Sequence, residues 1–394
     1  MKHRGPKAFF EGVSVLLKVD RPETRLATRL SFLVAGFGVA CWAPLVPFAK
    51  ERLHADDGAL GLLLLCLGVG SVALMFLTGV LNARYGSRPI ILAGGFGLAV
   101  LLPLLAVAGS PVSLGMTLFA FGAALGCLDV AMNIHAVEVE RAAGRPLMSG
   151  FHALFSVGGF AGATVMTFLL SSNVGPFAST LLPALLMAIT MAVAAPRLLR
   201  ASHSEEAPLF VAPHGIVLLL AALAAVMFLV EGAILDWSAL LVTEKGLVGV
   251  AQGGLGYSIF AIAMTAGRLG GDFVTARVGD RAMLFWGGLM TMAGFALLLA
   301  APIHAVAMSS FLLIGLGASN IVPVVFRGAG AQRAMPAGHA VAAITTAGYS
   351  GILVGPAGIG FVARTVGLPV AFWLLAVLVG AVVLSARSVT AQRT

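Results

Sequence analysis

Apolar residues fall in twelve runs along this chain, separated by polar segments that are mostly short. The runs lie at roughly 27–49, 59–82, 90–108, 113–134, 149–171, 178–196, 214–242, 252–275, 282–301, 304–326, 338–362 and 367–386. A helix of about 20 apolar residues crosses the hydrocarbon core of a bilayer. Short connections make neighbouring helices antiparallel. Two polar breaks are longer, Pro196 to Pro213 and Glu138 to Pro146. The pattern predicts an all-α membrane protein of twelve transmembrane helices in two pseudo-symmetric six-helix bundles. Its parts are a cytoplasmic N-terminal tail (1–25), a first bundle (26–196), a cytoplasmic linker (197–213), a second bundle (214–386) and a cytoplasmic tail (387–394).

A repeat strengthens the two-bundle reading. Ala83-Arg84-Tyr85-Gly86-Ser87-Arg88 returns at a fixed offset as Ala276-Arg277-Val278-Gly279-Asp280-Arg281. The same offset carries Gly94 and Gly95 onto Gly287 and Gly288, and Gly122 onto Gly315. It also carries Gly158 onto Gly351 and Gly162 onto Gly355. Several matches in one register argue for a duplicated unit, the organisation of secondary transporters. Glycines four apart, such as Gly122/Gly126 and Gly158/Gly162, let helix backbones approach closely. Pro103, Pro323 and Pro356 remove backbone donors inside runs, and neighbouring groups must serve the freed carbonyls.

Composition agrees with lipid as the solvent. The chain is 59% hydrophobic and 10% charged, with a mean hydropathy of +1.02. Of 24 Lys and Arg residues, 20 fall on one side of the predicted spans; the exceptions are Lys50, Arg52, Lys245 and Arg364. The positive-inside rule then places both termini in the cytoplasm. Cys41, Cys66 and Cys127 lie inside spans and read as packing residues. The first run is too long for a cleavable signal. Phe9, Phe10, Val13, Leu16 and Leu17 would form one face of a short interfacial helix, or the tail is disordered.

Gly79-Val80-Leu81-Asn82-Ala83-Arg84-Tyr85-Gly86-Ser87-Arg88 follows the second span. It resembles the cytoplasmic loop signature of the major facilitator superfamily at Gly79, Leu81, Arg84, Gly86 and Arg88. It departs at Ala83, where the family usually has an aspartate that latches the bundles. The second copy is preceded by Arg268 and Asp272, four apart on one helix face. They form either a structural salt bridge or a latch. Arg277 and Arg281 complete that copy. The resemblance implies a central cavity and alternating access. A narrower resemblance rests on Asp129-Val130-Ala131-Met132-Asn133 and Met148-Ser149-Gly150-Phe151-His152-Ala153-Leu154. These strings resemble the bacterial branch containing YbjJ and MosC, near the fucose permeases, and that resemblance implies a place in a bacterial inner membrane.

Ionisable groups at membrane depth are costly and are functional candidates. Asp129 lies about 16 residues into the fourth span, with Asn133 one turn on. His152 opens the fifth span from the same side. The three form either a static network or a site for substrate or proton. Glu231 lies deep in the seventh span with no local partner in sequence. Such a carboxylate can hold and release a proton near neutral pH, so Glu231 and Asp129 are the proton-coupling candidates. The alternative for Glu231 is an ion pair with another helix. Trp42 on the first span, Asn320 on the tenth and Tyr349 on the eleventh are cavity candidates beside Asn133 and His152; the resemblance implies that the first, fourth, seventh and tenth spans line the cavity.

No nucleotide-binding loop, metal-binding helix or nucleophile elbow is present in the sequence. The chain is therefore expected to be no enzyme, to need no cofactor or metal, and to bind no nucleic acid. The leading reading is a monomeric, proton-coupled secondary transporter of a small sugar- or polyol-like solute. An exporter of amphipathic compounds is the alternative, since 24 Phe and 15 Met can build an adaptable pocket. A non-transporting membrane sensor or scaffold is the reading from another class.

Overall fold

A computed structural model describes residues 21–55, 57–199, 212–248 and 255–391. The proposed interfacial helix of the N-terminal tail and the middle of the linker lie outside these residues. Every described segment of length is helical. Ten helices and one bent pair are long and apolar enough to cross a membrane. One of the ten, Leu255–Ala300, has 46 residues. At 1.5 Å per residue it is about 69 Å long, twice a bilayer core, so it is two crossings. Its break is Gly279, with φ 79° and ψ 161°. The described residues thus hold twelve crossings.

The spans are, in order, Pro22–Trp42 continued by Val46–Arg52, Asp57–Tyr85, Ser87–Val107, Pro111–Ala143, Met148–Ser171 and Pro176–Ala194. The second six are Ile216–Glu244, the two parts of Leu255–Ala300, His304–Ala318 continued by Ile321–Ala331, Ala337–Val366, and Leu368–Thr390. The fourth helix outruns its apolar stretch by more than two turns. The sequence pattern places a loop from Glu138, yet the helix stops only at Gly144, whose φ of 62° is left-handed. Glu140 then accepts the N–H of Leu147 at 2.7 Å and closes the short turn.

The chain divides into two compact units. The first is Met1–Leu147 with Leu154–Leu209; the second is Met148–Ala153 with Phe210–Thr394. The first turn and a half of the fifth span therefore groups with the second unit.

The repeat extends to backbone and packing. Gly86 has φ 75° and ψ 170°, close to its counterpart Gly279. Only glycine adopts this region readily, so each copy needs it to turn sharply into the next span. A Cβ on Gly94 would lie 2.7 Å from the Ala124 carbonyl, and one on Gly287 would lie 2.7 Å from that of Gly317. Ala124 and Gly317 are themselves related by the offset of the repeat.

The same register holds at the opposite helix ends. The Arg52 guanidinium donates to the carbonyls of Ala108 (3.0 Å), Ala106 (2.6 Å) and Leu105 (2.9 Å). Lys245 donates to those of Leu298 (3.2 Å) and Leu299 (2.6 Å). Arg52 maps onto Lys245, Leu105 onto Leu298 and Ala106 onto Leu299. Each cation serves carbonyls at the C-terminus of the third helix of its unit, where backbone donors run out and the helix dipole favours positive charge. Two of the four cations that break the charge asymmetry are thus helix caps.

Candidate functional site

In the second unit the site begins with a broken helix. Pro323 has no N–H, so the carbonyl four positions back, on Ser319, loses its helical donor. The tenth span is interrupted there, between Ala318 and Ile321. Arg268 of the eighth span supplies the replacement, its Nε donating to Ser319 O at 3.3 Å. The other end of the guanidinium reaches the seventh span, with Nη2 3.1 Å from Glu231 Oε1. Arg268 therefore ties the seventh, eighth and tenth spans together.

Asn320 sits at the same break. Its amide donates to Gly267 O (3.0 Å) and Ser319 Oγ (2.8 Å). Its Oδ1 is buried and has no partner among the described residues. Gly271 allows this approach, because a Cβ there would strike the Asn320 amide. Glu231 stands near the middle of Ile216–Glu244. Arg268 stands near the middle of the eighth span, between Leu255 and the break at Gly279. By helix rise both are about 17–22 Å from either end, which is bilayer mid-depth. Arg268 thus stands apart from the loop motif with which its sequence position groups it. Glu231 has a partner that sequence spacing does not reveal, because the two belong to different helices.

Nearer the loop motif, Asp272 receives the backbone N–H groups of Ser149 (3.0 Å) and Gly150 (2.7 Å). These are first-turn donors of the fifth span, where an anion is favoured. Gly150 permits the approach, since a Cβ there would be 2.9 Å from Asp272 Oδ2. Arg327 of the tenth span lies 3.9 Å from Asp272 and bonds closely to Asp280 in the second motif copy. His152 packs against Phe326 with the rings tilted by 49° and their centroids 5.5 Å apart. Arg277 covers the ring of Phe273 at 3.4 Å, and Arg281 is exposed. Tyr349 meets Phe228 edge-on at 6.2 Å.

In the first unit, Asp129 is buried near the middle of Pro111–Ala143. The extra turns lie beyond the apolar run, so Asp129 keeps its place about 18 residues from the helix start. Asn133 donates to its backbone O at 2.9 Å and to Oδ1 at 3.4 Å, while Asn133 Oδ1 has no partner among the described residues. Trp42 is buried, and its indole N–H has no described acceptor. In the first motif copy Gly79 is buried, Arg84 lies over Tyr85 at 5.3 Å, and Arg88 donates to Ala195 O at 3.1 Å.

Sequence reading misses His135, Arg327 and Asp280. His135 Nε2 accepts from Leu199 N–H at 3.1 Å. That leaves the proton on Nδ1, 3.1 Å from Thr28 Oγ1, and Thr28 donates on to Thr24 O. Its signal is a polar residue one turn from Ala131, just past the end of the apolar run. Arg327 carries the same kind of signal, immediately past the predicted tenth span.

The Major Facilitator Superfamily profile matches residues 30–356. An MFS-type transporter of Yersinia pestis is 48% identical over 367 residues, covering 93% of this chain and 96% of that protein. Membrane protein MosC of Rhizobium meliloti is 31% identical over 350 residues, covering 88% of this chain and 85% of that one. Among solved structures, the E. coli fucose:proton symporter FucP superposes with a TM-score of 0.71 at 16% identity. That match covers 93% of this chain and 98% of FucP.

Proposed function

The chain belongs to the major facilitator superfamily of membrane transporters, and on that premise we propose that it is a proton-coupled secondary transporter. It moves a small polar solute, sugar- or polyol-like, across the bacterial inner membrane by alternating access. It works as a monomer with both termini in the cytoplasm. One observation carries this reading: the Glu231–Arg268 pair at mid-depth beside a broken tenth span. Burying two ions costs several kcal/mol each, and an apolar pair of equal volume is often as stable. An ion pair placed there is better explained by a working role than by stability. Interrupted helices at mid-depth are where transporters place binding and coupling groups. Glu231 is the proton-carrying group, with Asp129 as the second candidate. Trp42, Asn133, His152, Asn320 and Tyr349 contribute to solute binding. Asp272 releases and recaptures the first turn of the fifth span during the cycle. Gly79, Arg84, Gly86, Arg88, Arg277 and Arg281 shape the cytoplasmic gate.

The test uses purified protein in proteoliposomes that enclose a pH-sensitive dye. A panel of sugars, polyols and their acids is added, and proton entry is read with solute uptake. Glu231→Gln is expected to abolish proton entry while solute exchange down its own gradient persists. Unchanged proton entry in both Glu231→Gln and Asp129→Asn would remove these two residues from the coupling role.

A further inference from the structure

Charge accounting at the Glu231–Arg268 pair narrows the solute class, given the proton-coupled reading above. With Glu231 ionised the pair is neutral. A neutral solute arriving with one proton would neutralise Glu231 and leave Arg268 as an uncompensated buried cation. An anion arriving alone would leave the site with one excess negative charge. An anion arriving with a proton restores neutrality, because its carboxylate takes Arg268 as Glu231 becomes an acid. Removing one partner of a buried pair is strongly unfavourable, so constant charge is the condition that decides.

The geometry suits such an exchange. Arg268 is held by Nε on the Ser319 carbonyl that Pro323 leaves free. The guanidinium plane therefore keeps an anchor while the Nη2 edge changes partner. Arginine is also the side chain whose fork matches a carboxylate. One helix position away from Ser319, Asn320 presents a buried Oδ1 with no partner among the described residues, a ready acceptor for a hydroxyl. The other charged or titratable groups around the pair are accounted for. Asp236 is exposed, and Tyr257 lies within electrostatic reach of both Asp236 and Glu231. Tyr257 is a phenol, protonated through the physiological range. His152 lies in the field of Arg268 and packs on Phe326. Asp272 takes two backbone N–H groups, and Arg327 bonds to Asp280.

We propose that the solute is a small hydroxylated carboxylic acid, that Arg268 binds its carboxylate, and that Glu231 takes up one proton as Arg268 changes partner. One O–H bond forms at Glu231, the proton comes from solution, and no other covalent bond changes. Loaded and empty states then carry the same charge, so transport is electroneutral.

Thermal unfolding of the purified full-length protein is measured at mildly acidic and mildly alkaline pH. The probes are D-gluconate against D-sorbitol, D-glucuronate against D-glucose, and L-lactate against lactamide. At least one acid is expected to raise Tm, more at acidic pH because binding takes up a proton, while its neutral partner does not. Arg268→Gln should lose the acid's effect and Arg268→Lys should keep part of it; each variant's ligand-free Tm shows whether it folds. In proteoliposomes the same acid should follow an inward proton gradient and ignore an imposed membrane potential. No shift from any of the acids, an unchanged shift in Arg268→Gln, or potential-driven uptake would overturn the proposal. Proton-driven uptake of a neutral member alone would overturn it and leave proton-coupled transport intact. Acid uptake indifferent to the proton gradient would instead overturn proton coupling itself.

Discussion

Replacing Arg52 by Gln removes a cation from three carbonyls at the end of the third helix. Leu105 is fully buried, and Ala106 and Ala108 are each 7% exposed, so water serves them poorly once the guanidinium is gone. A lost hydrogen bond to a buried group is worth about 1 kcal/mol, so three sum to about 3 kcal/mol before relaxation. The Gln amide recovers at most one, which leaves a loss of about 2 kcal/mol. Arg52→Lys should lose only about 1 kcal/mol, because Lys245 already serves two carbonyls in the equivalent place. Lys245→Gln should cost about 1–2 kcal/mol on the same basis. The two sites lie in different units and share no partner, so the double variant should be additive within ~0.5 kcal/mol. The assay is intrinsic-fluorescence thermal unfolding in detergent at one scan rate. A wild-type Tm for Arg52→Gln, or equal losses for Arg52→Gln and Arg52→Lys, would refute the capping argument. In the first case the bonds carry no net energy; in the second, charge and multiplicity of donors do not matter.

Further outcomes follow from the packing. Gly315→Ala would set a Cβ 2.5 Å from Phe260 O and 2.8 Å from the Ala263 Cβ, costing about 1–3 kcal/mol. Gly270→Ala, with open space around that position among the described residues, should be neutral or stabilising in the same melting assay. His135→Leu leaves Leu199 N–H without its acceptor and Thr28 without its donor, and should cost about 1–3 kcal/mol; a melting temperature within error of wild type would show that water replaces the ring. Asp272→Asn keeps the shape but drops the charge on the fifth-span amides, a loss of about 1 kcal/mol. It should raise the thiol-reagent labelling rate of a cysteine placed at Ser149, and an unchanged rate would refute the capping role.

Much of the architecture was legible because lipid imposes a simple rule. Every run long enough to span had to be a helix, and the charge-poor runs marked themselves. What failed were ends and partners. The fourth helix continues past its apolar stretch because Glu140 and Gly144, not loss of hydropathy, terminate it. Glu231 reads as solitary because local spacing reports only neighbours on one helix. Its arginine comes from a position that the loop motif also claims. The gap at Ser319–Asn320 is half visible: Pro323 announces a freed carbonyl, but nothing in the sequence names Arg268 as the donor that serves it.

The repeat sharpens what these partners mean. Its register carries backbone turns, close glycine contacts and the Arg52/Lys245 caps, all of which serve packing. It does not carry the buried charges. Arg268 maps onto Met75, Glu231 onto Gly38, Asp272 onto Gly79 and Asp129 onto Val322. A group required by the fold of one half should recur in the other, as the caps do. Buried ions that occur in only one half are not explained by that shared requirement, and their desolvation cost is unbalanced by symmetry. The division therefore separates scaffold from mechanism within one sequence: what is duplicated holds each bundle together, and what is unpaired across the repeat is where solute and proton are to be sought.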